Sequence, residues 1–148
     1  MKDTDLNVRR LSLTTLDSAA HNKPYLIRDV LGQLLPLLYR ETAVVEELIH
    51  IVEMGPFKHR VDDGIEIRKS AFECMYTLLE KCRDKVEIFA FVDRVLVGLV
   101  DQPDIKMLCH LTLVRLSIVS PTAVAQRMFY YLPMCAYSFS PCNAKNDF

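Results

Sequence analysis

Three segments of this 148-residue chain share a pattern that strongly constrains its fold. Each begins with an acidic residue (Asp5, Asp63 or Asp101), continues with an aliphatic and then a basic residue, and leads into apolar residues spaced three and four apart. This spacing predicts three amphipathic helices. Aligning Ile67 in the second segment with Ile105 in the third gives an offset of 38 residues, which indicates an internal repeat.

A second, largely apolar helix is predicted to follow each of these three. Residues 24–39 and 86–100 provide the first two partner helices, and Pro121 opens the third. Helix pairs that recur about every 40 residues are typical of HEAT and armadillo repeats, in which each pair packs against its neighbours. The sequence therefore predicts an all-α fold, a HEAT-type helical-repeat solenoid that forms one domain over residues 1–127.

The starts of the repeat helices combine acidic and basic side chains. Adjacent acids such as Asp62 and Asp63 are interpreted as helix caps and dipole partners, because such side chains satisfy the free N–H groups of a first turn. A paired carboxylate site is the alternative for these two residues. Arg9–Arg10 and Arg68–Lys69 are interpreted as solvated helix starts, with one stem packed between repeats.

Residues 48–62 interrupt the helical pattern. Val8 and Ile67 are 59 residues apart, which is one repeat period plus an insertion of about 20 residues. Alternation along the insertion and the Gly55–Pro56 dipeptide predict a β-hairpin with a two-residue type II′ loop, in which Glu53 faces Lys58. A lone two-stranded hairpin is only marginally stable in water, so this one is expected to pack on its own helices or to bind a partner.

The last 21 residues, 128–148, do not continue the helical spacing. They include Pro133 and Pro141, and they hold three of the six tyrosines and three of the seven phenylalanines. The sequence predicts a divergent irregular tail that makes few contacts. Such a tail would leave part of the apolar face of the last helix pair uncovered.

The composition argues against several classes of function. A net charge of −1 provides no field that would attract nucleic acid or an anionic membrane. No apolar run approaches the roughly 20 residues that span a bilayer, and the N-terminal residues lack the apolar core of a signal peptide. The five cysteines include no CxxC pair, so free thiols in a reducing intracellular compartment are expected.

Side chains that could support catalysis or bind a cofactor are few. The sequence has no nucleotide-binding loop, zinc-protease motif or nucleophile elbow. His50 and His59 share one face of the predicted hairpin, but two ligands fall short of the set that a structural metal site needs. Cys74, Cys82 and Cys109 are interpreted as core residues. The chain is predicted not to be an enzyme and to need no cofactor or metal.

The hairpin and the helix after it, residues 52–79, closely resemble the C-terminal region of the cullin-associated and neddylation-dissociated proteins, a family also described as TATA-binding-protein-interacting proteins. The likeness covers about residues 5–127 and is most specific at Gly55-Pro-Phe-Lys-His59. Further matches are Asp5-Leu-Asn-Val-Arg-Arg10, His21-Asn-Lys-Pro24, Leu26-Ile-Arg-Asp29, Leu35-Pro-Leu-Leu-Tyr39, Asp104-Ile-Lys-Met107, Cys109-His-Leu111 and Ser120-Pro-Thr-Ala-Val124. Members of the family are long superhelices, so the resemblance implies a C-terminal fragment or a truncated product.

The resemblance also implies a function. A HEAT-repeat scaffold of this family binds a cullin–RING ubiquitin ligase core that lacks its ubiquitin-like modifier, obstructs adaptor binding and promotes exchange of substrate receptors, in the cytoplasm and the nucleus. The TATA-binding protein is a second partner that the resemblance implies. The residues that match the obstructing hairpin, and that form the predicted partner-binding site, are Val52, Glu53, Met54, Gly55, Pro56, Phe57, Lys58, His59, Arg60 and Val61. Within this set Met54, Phe57 and Val61 are expected to make the apolar contacts.

A generic HEAT-repeat adaptor is the alternative to this function. In that case the hairpin packs on its own repeats and has a purely structural role. Exposure of the hairpin distinguishes the two, because a projecting hairpin with an apolar tip favours the cullin-binding scaffold and a buried hairpin favours the adaptor.

Overall fold

The computed structural model of the protein describes residues 5–55 and 57–138, and this part of the chain contains seven α-helices and one β-hairpin. The helices are α1 (Leu6–Asn22), α2 (Pro24–Arg28), α3 (Leu31–Glu41), α4 (Ile65–Lys81), α5 (Ile88–Gly98), α6 (Pro103–Val119) and α7 (Pro121–Ser138). Strands β1 (Ile49–Met54) and β2 (Phe57–Asp62) pair antiparallel. A mostly helical fold with one inserted hairpin is thus confirmed, and the assignment to the HEAT class stays a prediction from the sequence period.

The helices form two layers. In the first layer α4 packs on both α1 and α6, and in the second α5 packs on α7 and contacts α3. The rings of Tyr39 in α3 and Phe91 in α5 meet edge to face with their centroids 6.4 Å apart. Helices α5 and α6 and helices α6 and α7 also pack on each other. This arrangement is consistent with a helical-repeat fold.

Helix α4 lies at the centre of the hydrophobic core. Its buried apolar residues are spaced three and four apart, as an amphipathic helix requires, and they are Ile67, Ala71, Phe72, Cys74, Met75, Leu78 and Leu79. A Cβ on Gly98 of α5 would lie 2.7 Å from Cζ of Phe72 and 2.3 Å from Sγ of Cys109 in α6. Three helices therefore meet at Gly98, where only a glycine leaves enough room.

Only the first of the three expected acidic caps is present. Asp5 caps α1 by accepting a 2.8 Å hydrogen bond from the N–H of Asn7. Helix α4 begins after Gly64 and α6 begins after Gln102, and neither residue caps its helix through a side chain. The prediction of acidic caps is wrong for these two helices, because Asp62 and Asp101 bind Arg68 and Asp63 lies 3.6 Å from Nδ1 of His50.

The partner helix predicted over residues 24–39 is interrupted. Helix α2 ends at Arg28, and α3 begins at Leu31 after a turn in which the N–H of Val30 donates to the carbonyl of Ile27 at 3.1 Å. Pro36 lies inside α3. The break therefore precedes the proline at which a kink is expected from sequence.

The prediction of an irregular tail from residue 128 is wrong for residues 128–138. Helix α7 continues to Ser138, and the half-buried Tyr131 packs against the core. Val124, Met128 and Tyr131 are spaced four and three apart, so the helical spacing does continue past residue 127. Residues 139–148, the rest of the predicted tail, lie outside the described residues.

One face of α6 is apolar and exposed. Its residues are spaced four, three and four apart, and between 56% and 69% of each is exposed: Met107, Leu111, Val114 and Ile118. In the described part of the chain no helix covers this stripe. The expectation that part of the last helix pair's apolar face remains uncovered is therefore confirmed for these residues.

Candidate protein-binding interface

The hairpin has the register that the sequence predicts. Met54 pairs with Phe57 and Glu53 with Lys58, and the pairing continues to Ile49 and Asp62 at the base. Gly55 has a φ of +63°, a left-handed conformation that glycine adopts without the steric cost of a Cβ. A positive φ at the first loop position is what the predicted type II′ turn requires. Pro56, the second loop position, lies outside the described residues.

The hairpin projects from the helices. Residues 50–53 and 57–60 are all exposed, and only the residues near the base, Ile49, Val61 and Asp62, are half-buried. Phe57 next to the tip is 66% exposed, and Ile51 on the opposite face is 67% exposed. The predicted contact residues Phe57 and Val61 thus differ in exposure, and the side chain of Met54 is not described.

The charged residues of the hairpin form exposed pairs. Nζ of Lys58 lies 3.3 Å from Oε1 of Glu53, and Nη2 of Arg60 lies 3.8 Å from Oε2 of Glu46. Exposed ion pairs contribute about 0–1 kcal/mol, so these contacts hold the hairpin together only weakly. The hairpin therefore has little intrinsic stability, and it exposes the apolar side chains of Ile51, Val52 and Phe57.

The base of the hairpin is fixed much more firmly than its tip. The N–H of Asp63 donates to the carbonyl of Leu48 at 3.1 Å, which closes the hairpin. Arg68 in the first turn of α4 is only 2% exposed, and its guanidinium lies between the carboxylates of Asp62 and Asp101. Burial alone lowers the pKa of Arg68, but the hydrogen bonds to Asp101 and Asp62 outweigh it and raise this pKa above its usual range, so Arg68 remains charged.

The interpretation of the basic helix starts as solvated is therefore wrong for the guanidinium of Arg68, whereas its burial agrees with the expectation that one stem packs between repeats. The acidic residue at the end of β2 and the one after α5 both reach it, because α4 packs on α6 and brings these turns together. Arg9 is similar, since its Nε donates to the buried Glu41 at 3.0 Å. Asp62 and Asp63 do not form a paired carboxylate site either. Asp62 binds Arg68, whereas Oδ2 of Asp63 lies 3.6 Å from Nδ1 of His50.

A solvent-open groove separates the hairpin from the turn between α5 and α6. Its volume is about 610 Å³, and its apolar walls come from Val44 and Ile49 on one side and Val100 and Pro103 on the other. Val100 is 65% exposed and Val44 is 48% exposed. The groove extends the exposed surface of the hairpin towards the helices, and charged residues such as Glu46 and Arg60 line it together with the apolar ones. This extension and Ile51 are absent from the predicted site, which begins at Val52.

Catalytic and metal-binding groups are scarce in the described residues. No group of three or more His, Cys, Asp and Glu side chains there could hold a metal ion. Cys74, Cys82 and Cys109 are free and buried, as predicted for core residues. Burial raises the pKa of the Cys74 and Cys109 thiols to about 12, so neither forms a thiolate nucleophile near neutral pH. Among the helices described, none is both long and apolar enough to cross a bilayer.

Acid should weaken the base of the hairpin. Burial alone raises the pKa of Asp62, but the hydrogen bonds and charge of Arg68 and the N–H of Gly64 outweigh it and hold this pKa below its usual range. The stabilisation from ionised Asp62 is therefore complete above its unfolded pKa of about 3.9 and is lost as the pH falls through the lower folded value. Urea unfolding of the wild type and of Asp62→Asn between pH 6 and pH 2 should give a difference in free energy that shrinks below about pH 4. A difference that stays constant down to pH 2 would contradict this assignment.

Comparison with known proteins identifies the family of the chain. The model of the TIP120 family, described as "TATA-binding protein interacting (TIP20)", matches residues 26–140. The chain is 54% identical over 128 residues, 86% of its length, to "Cullin-associated NEDD8-dissociated protein 2" of Rattus norvegicus. It is 48% identical over 152 aligned residues, 100% of its length, to "Cullin-associated NEDD8-dissociated protein 1" of Drosophila melanogaster, and 50% identical over 125 residues, 84% of its length, to the Arabidopsis thaliana protein of that name.

The chain spans only 10–12% of the length of these relatives. The Drosophila match covers all of the chain, so the expectation that the resemblance ends at residue 127 is wrong. The family model matches well over half of the chain and includes the hairpin and all of α3 to α7. The chain therefore belongs to the TIP120 family of TATA-binding-protein-interacting, cullin-associated NEDD8-dissociated proteins.

Proposed function

We propose that this chain is a non-catalytic scaffold that binds a cullin–RING ubiquitin ligase core lacking its ubiquitin-like modifier. Its hairpin would obstruct adaptor binding on that core and so promote exchange of substrate receptors. The names of the relatives support cullin association, and NEDD8 in those names is the modifier whose absence the proposal requires. We further propose that this activity takes place in the cytoplasm and the nucleus, as the resemblance implies.

The observation that carries the proposal is the exposure of the hairpin. A hairpin that served only internal packing would place its apolar side chains against the helices, whereas Ile51 and Phe57 are about two-thirds exposed. Large apolar side chains exposed on both faces of a projecting element favour a protein interaction site over internal packing. This exposure favours the cullin-binding scaffold over the generic adaptor with a purely structural hairpin.

The shape of the hairpin suits the role of a wedge. Each strand has six residues, so the hairpin reaches about 20 Å from its base at the usual rise of a β-strand. Its width is that of two strands, about 5 Å between backbones. An element of this shape can occupy a crevice that an adaptor would otherwise fill.

A binding experiment tests the partner directly. The chain, immobilised on beads, should retain an unmodified cullin–RING core and should retain much less of the same core carrying NEDD8. The two cullin–RING cores applied to the beads differ only in the modifier, so each is the control for the other. No retention of the unmodified core would contradict the proposal. The TATA-binding protein, which the family description names, should be applied to the same beads, since its retention would identify a second partner.

Substitutions at the tip should separate apolar contact from charge. Because buried aromatic anchors supply much of the energy of protein interfaces, Phe57→Ala should weaken binding of the unmodified core by about 1–3 kcal/mol, or about 5- to 150-fold in Kd. The adjacent Lys58→Ala removes a 73%-exposed charge from a pair with Glu53 and should cost less than about 0.5 kcal/mol. Titration calorimetry with the core measures both values.

Both tip variants should fold normally, because neither side chain is buried in the free chain. Circular dichroism and the midpoint of urea unfolding provide that check. Equal losses of affinity for the two variants, or no loss for Phe57→Ala, would show that the tip does not anchor the partner.

A further inference from the structure

The guanidinium of Arg68 joins three separate segments of the chain. Its Nε and Nη2 donate to the two oxygens of Asp101, in the turn between α5 and α6, at 2.9 Å each. Its Nη1 and Nη2 donate to the two oxygens of Asp62, the last residue of β2, at 3.2 and 2.8 Å. A bidentate contact constrains the orientation of a carboxylate as well as its distance. One rigid planar group therefore orients the end of the hairpin relative to α4 and to the α5–α6 turn.

The short connection between the hairpin and α4 is tightly constrained. Asp62 also accepts a 2.9 Å hydrogen bond from the N–H of Gly64, so both ends of this short connection are held by the same carboxylate. A Cβ on Gly64 would lie 3.1 Å from Cδ1 of Leu48, 3.2 Å from Oδ1 of Asp62 and 3.3 Å from Nη1 of Arg68. A residue larger than glycine would therefore have to displace at least one of these neighbours by a few tenths of an ångström.

The side chains at the base of the hairpin are much more buried than those along the rest of its strands. Beyond its base the hairpin has two exposed ion pairs and no buried side chain among residues 50–53 and 57–60. Asp62, by contrast, has a side chain that is 11% exposed, and that of Asp101 is 9% exposed. The cluster of Arg68, Asp62 and Asp101 is therefore a far more buried polar contact than the ion pairs along the strands.

From these contacts we propose that Arg68 is a positioning residue that fixes the direction in which the hairpin projects. Its relevance to binding rests on the function proposed above, in which the hairpin is the partner-binding element. Arg68 does not reach the partner surface of the hairpin, because it is buried. It acts by holding Asp62, so that the hairpin meets a partner already oriented and loses less conformational freedom on binding.

The variant Asp62→Ala tests this role while sparing the stack. It removes the hairpin arm of the cluster and leaves Arg68 with its bidentate contact to Asp101, so no charge is left unpaired. In nuclear magnetic resonance, the backbone order parameters of residues 51–60 should fall from about 0.85, as in the helices, to below about 0.6. Residual dipolar couplings of the hairpin should no longer fit the alignment tensor of the helices.

The matched control is Arg115→Met. Arg115 in α6 pairs with Glu80 at the opposite end of α4, so this variant also removes an arginine–carboxylate contact between α4 and α6. Its hairpin should keep wild-type order parameters and couplings. The milder Asp62→Asn keeps one acceptor oxygen and should give values between those of the wild type and Asp62→Ala, which provides a second test if the alanine variant folds poorly.

Affinity for the unmodified cullin–RING core should fall about tenfold in Asp62→Ala and remain unchanged in Arg115→Met. An unchanged hairpin order parameter and alignment in Asp62→Ala would overturn the positioning role, whatever the affinity. If the hairpin is released as expected but the wild-type chain does not bind the core, the positioning role stands and the proposed function fails. The nuclear magnetic resonance data therefore test the positioning role of Arg68, and the binding data test the proposed function, independently of each other.

Discussion

Replacing Phe72 with alanine should lower the free energy of unfolding by about 3–5 kcal/mol, the usual cost of deleting a fully buried aromatic ring. Phe72 is 2% exposed, and its ring lies against Gly98 of α5 at the point where Cys109 of α6 also arrives. The cavity would open where three helices meet, so no single helix can shift to fill it. Urea unfolding monitored by circular dichroism measures the loss, which is a large part of the roughly 5–15 kcal/mol of a typical domain.

Phe57→Ala is the matched control for this experiment. It removes the same side chain from a position that is 66% exposed, so the free energy of unfolding should change by less than about 0.5 kcal/mol. The two phenylalanines are thus expected to contribute to different properties: Phe72 to the free energy of unfolding and Phe57 to the affinity for the partner. A loss below about 1 kcal/mol for Phe72→Ala would mean that the helices around Gly98 repack freely.

The hairpin could be predicted from sequence in detail. Its strands alternate with period two, and the Gly55–Pro56 dipeptide marks the loop, so a single register satisfies both. The observed pairing from Ile49 with Asp62 to Met54 with Phe57 is that register. Whether the hairpin is buried depends on where the neighbouring helices pack, which no local pattern contains, and so its exposure could not be predicted.

The cluster around Arg68 could not be predicted because its local signals are ambiguous. An aspartate just before a helix is equally suited to capping the helix and to binding a cation, and the sequence near Asp62 and Asp101 fits both. The choice depends on a residue 33 positions away, since Asp101 reaches Arg68 only when α4 and α6 pack together. Propensity rules consider only residues that are close in sequence, so they cannot predict this contact.

A signal for the cluster does exist in the repeat itself. Arg9 and Arg68 occupy the same position in the first and second repeats, one residue after the aligned aliphatic residues Val8 and Ile67. Arg9 binds Glu41, which is 32 residues later, and Arg68 binds Asp101, which is 33 residues later. In both repeats the arginine at the start of the first helix contacts an acid near the end of the second helix or just after it. The repeat is therefore visible in its ion pairs as well as in its apolar spacing.

Replacing Arg68 with methionine should lower the free energy of unfolding by about 3–5 kcal/mol, as expected when one partner of a buried ion pair is removed. Methionine fills similar space, but the carboxylates of Asp62 and Asp101 would then share a nearly buried site without a cation. The loss should come mainly from those uncompensated charges rather than from the missing hydrogen bonds. Urea unfolding at pH 7 measures it.

The triple variant Arg68→Met, Asp62→Asn, Asp101→Asn separates the two causes. It lacks the same arginine but buries no unpaired charge, and neutral replacements of buried ion clusters are often well tolerated. We therefore expect it to recover at least half of the stability lost in Arg68→Met. If the triple variant is as unstable as the single one, the arginine's hydrogen bonds, and not the balance of charge, stabilise the corner between the hairpin and the helices.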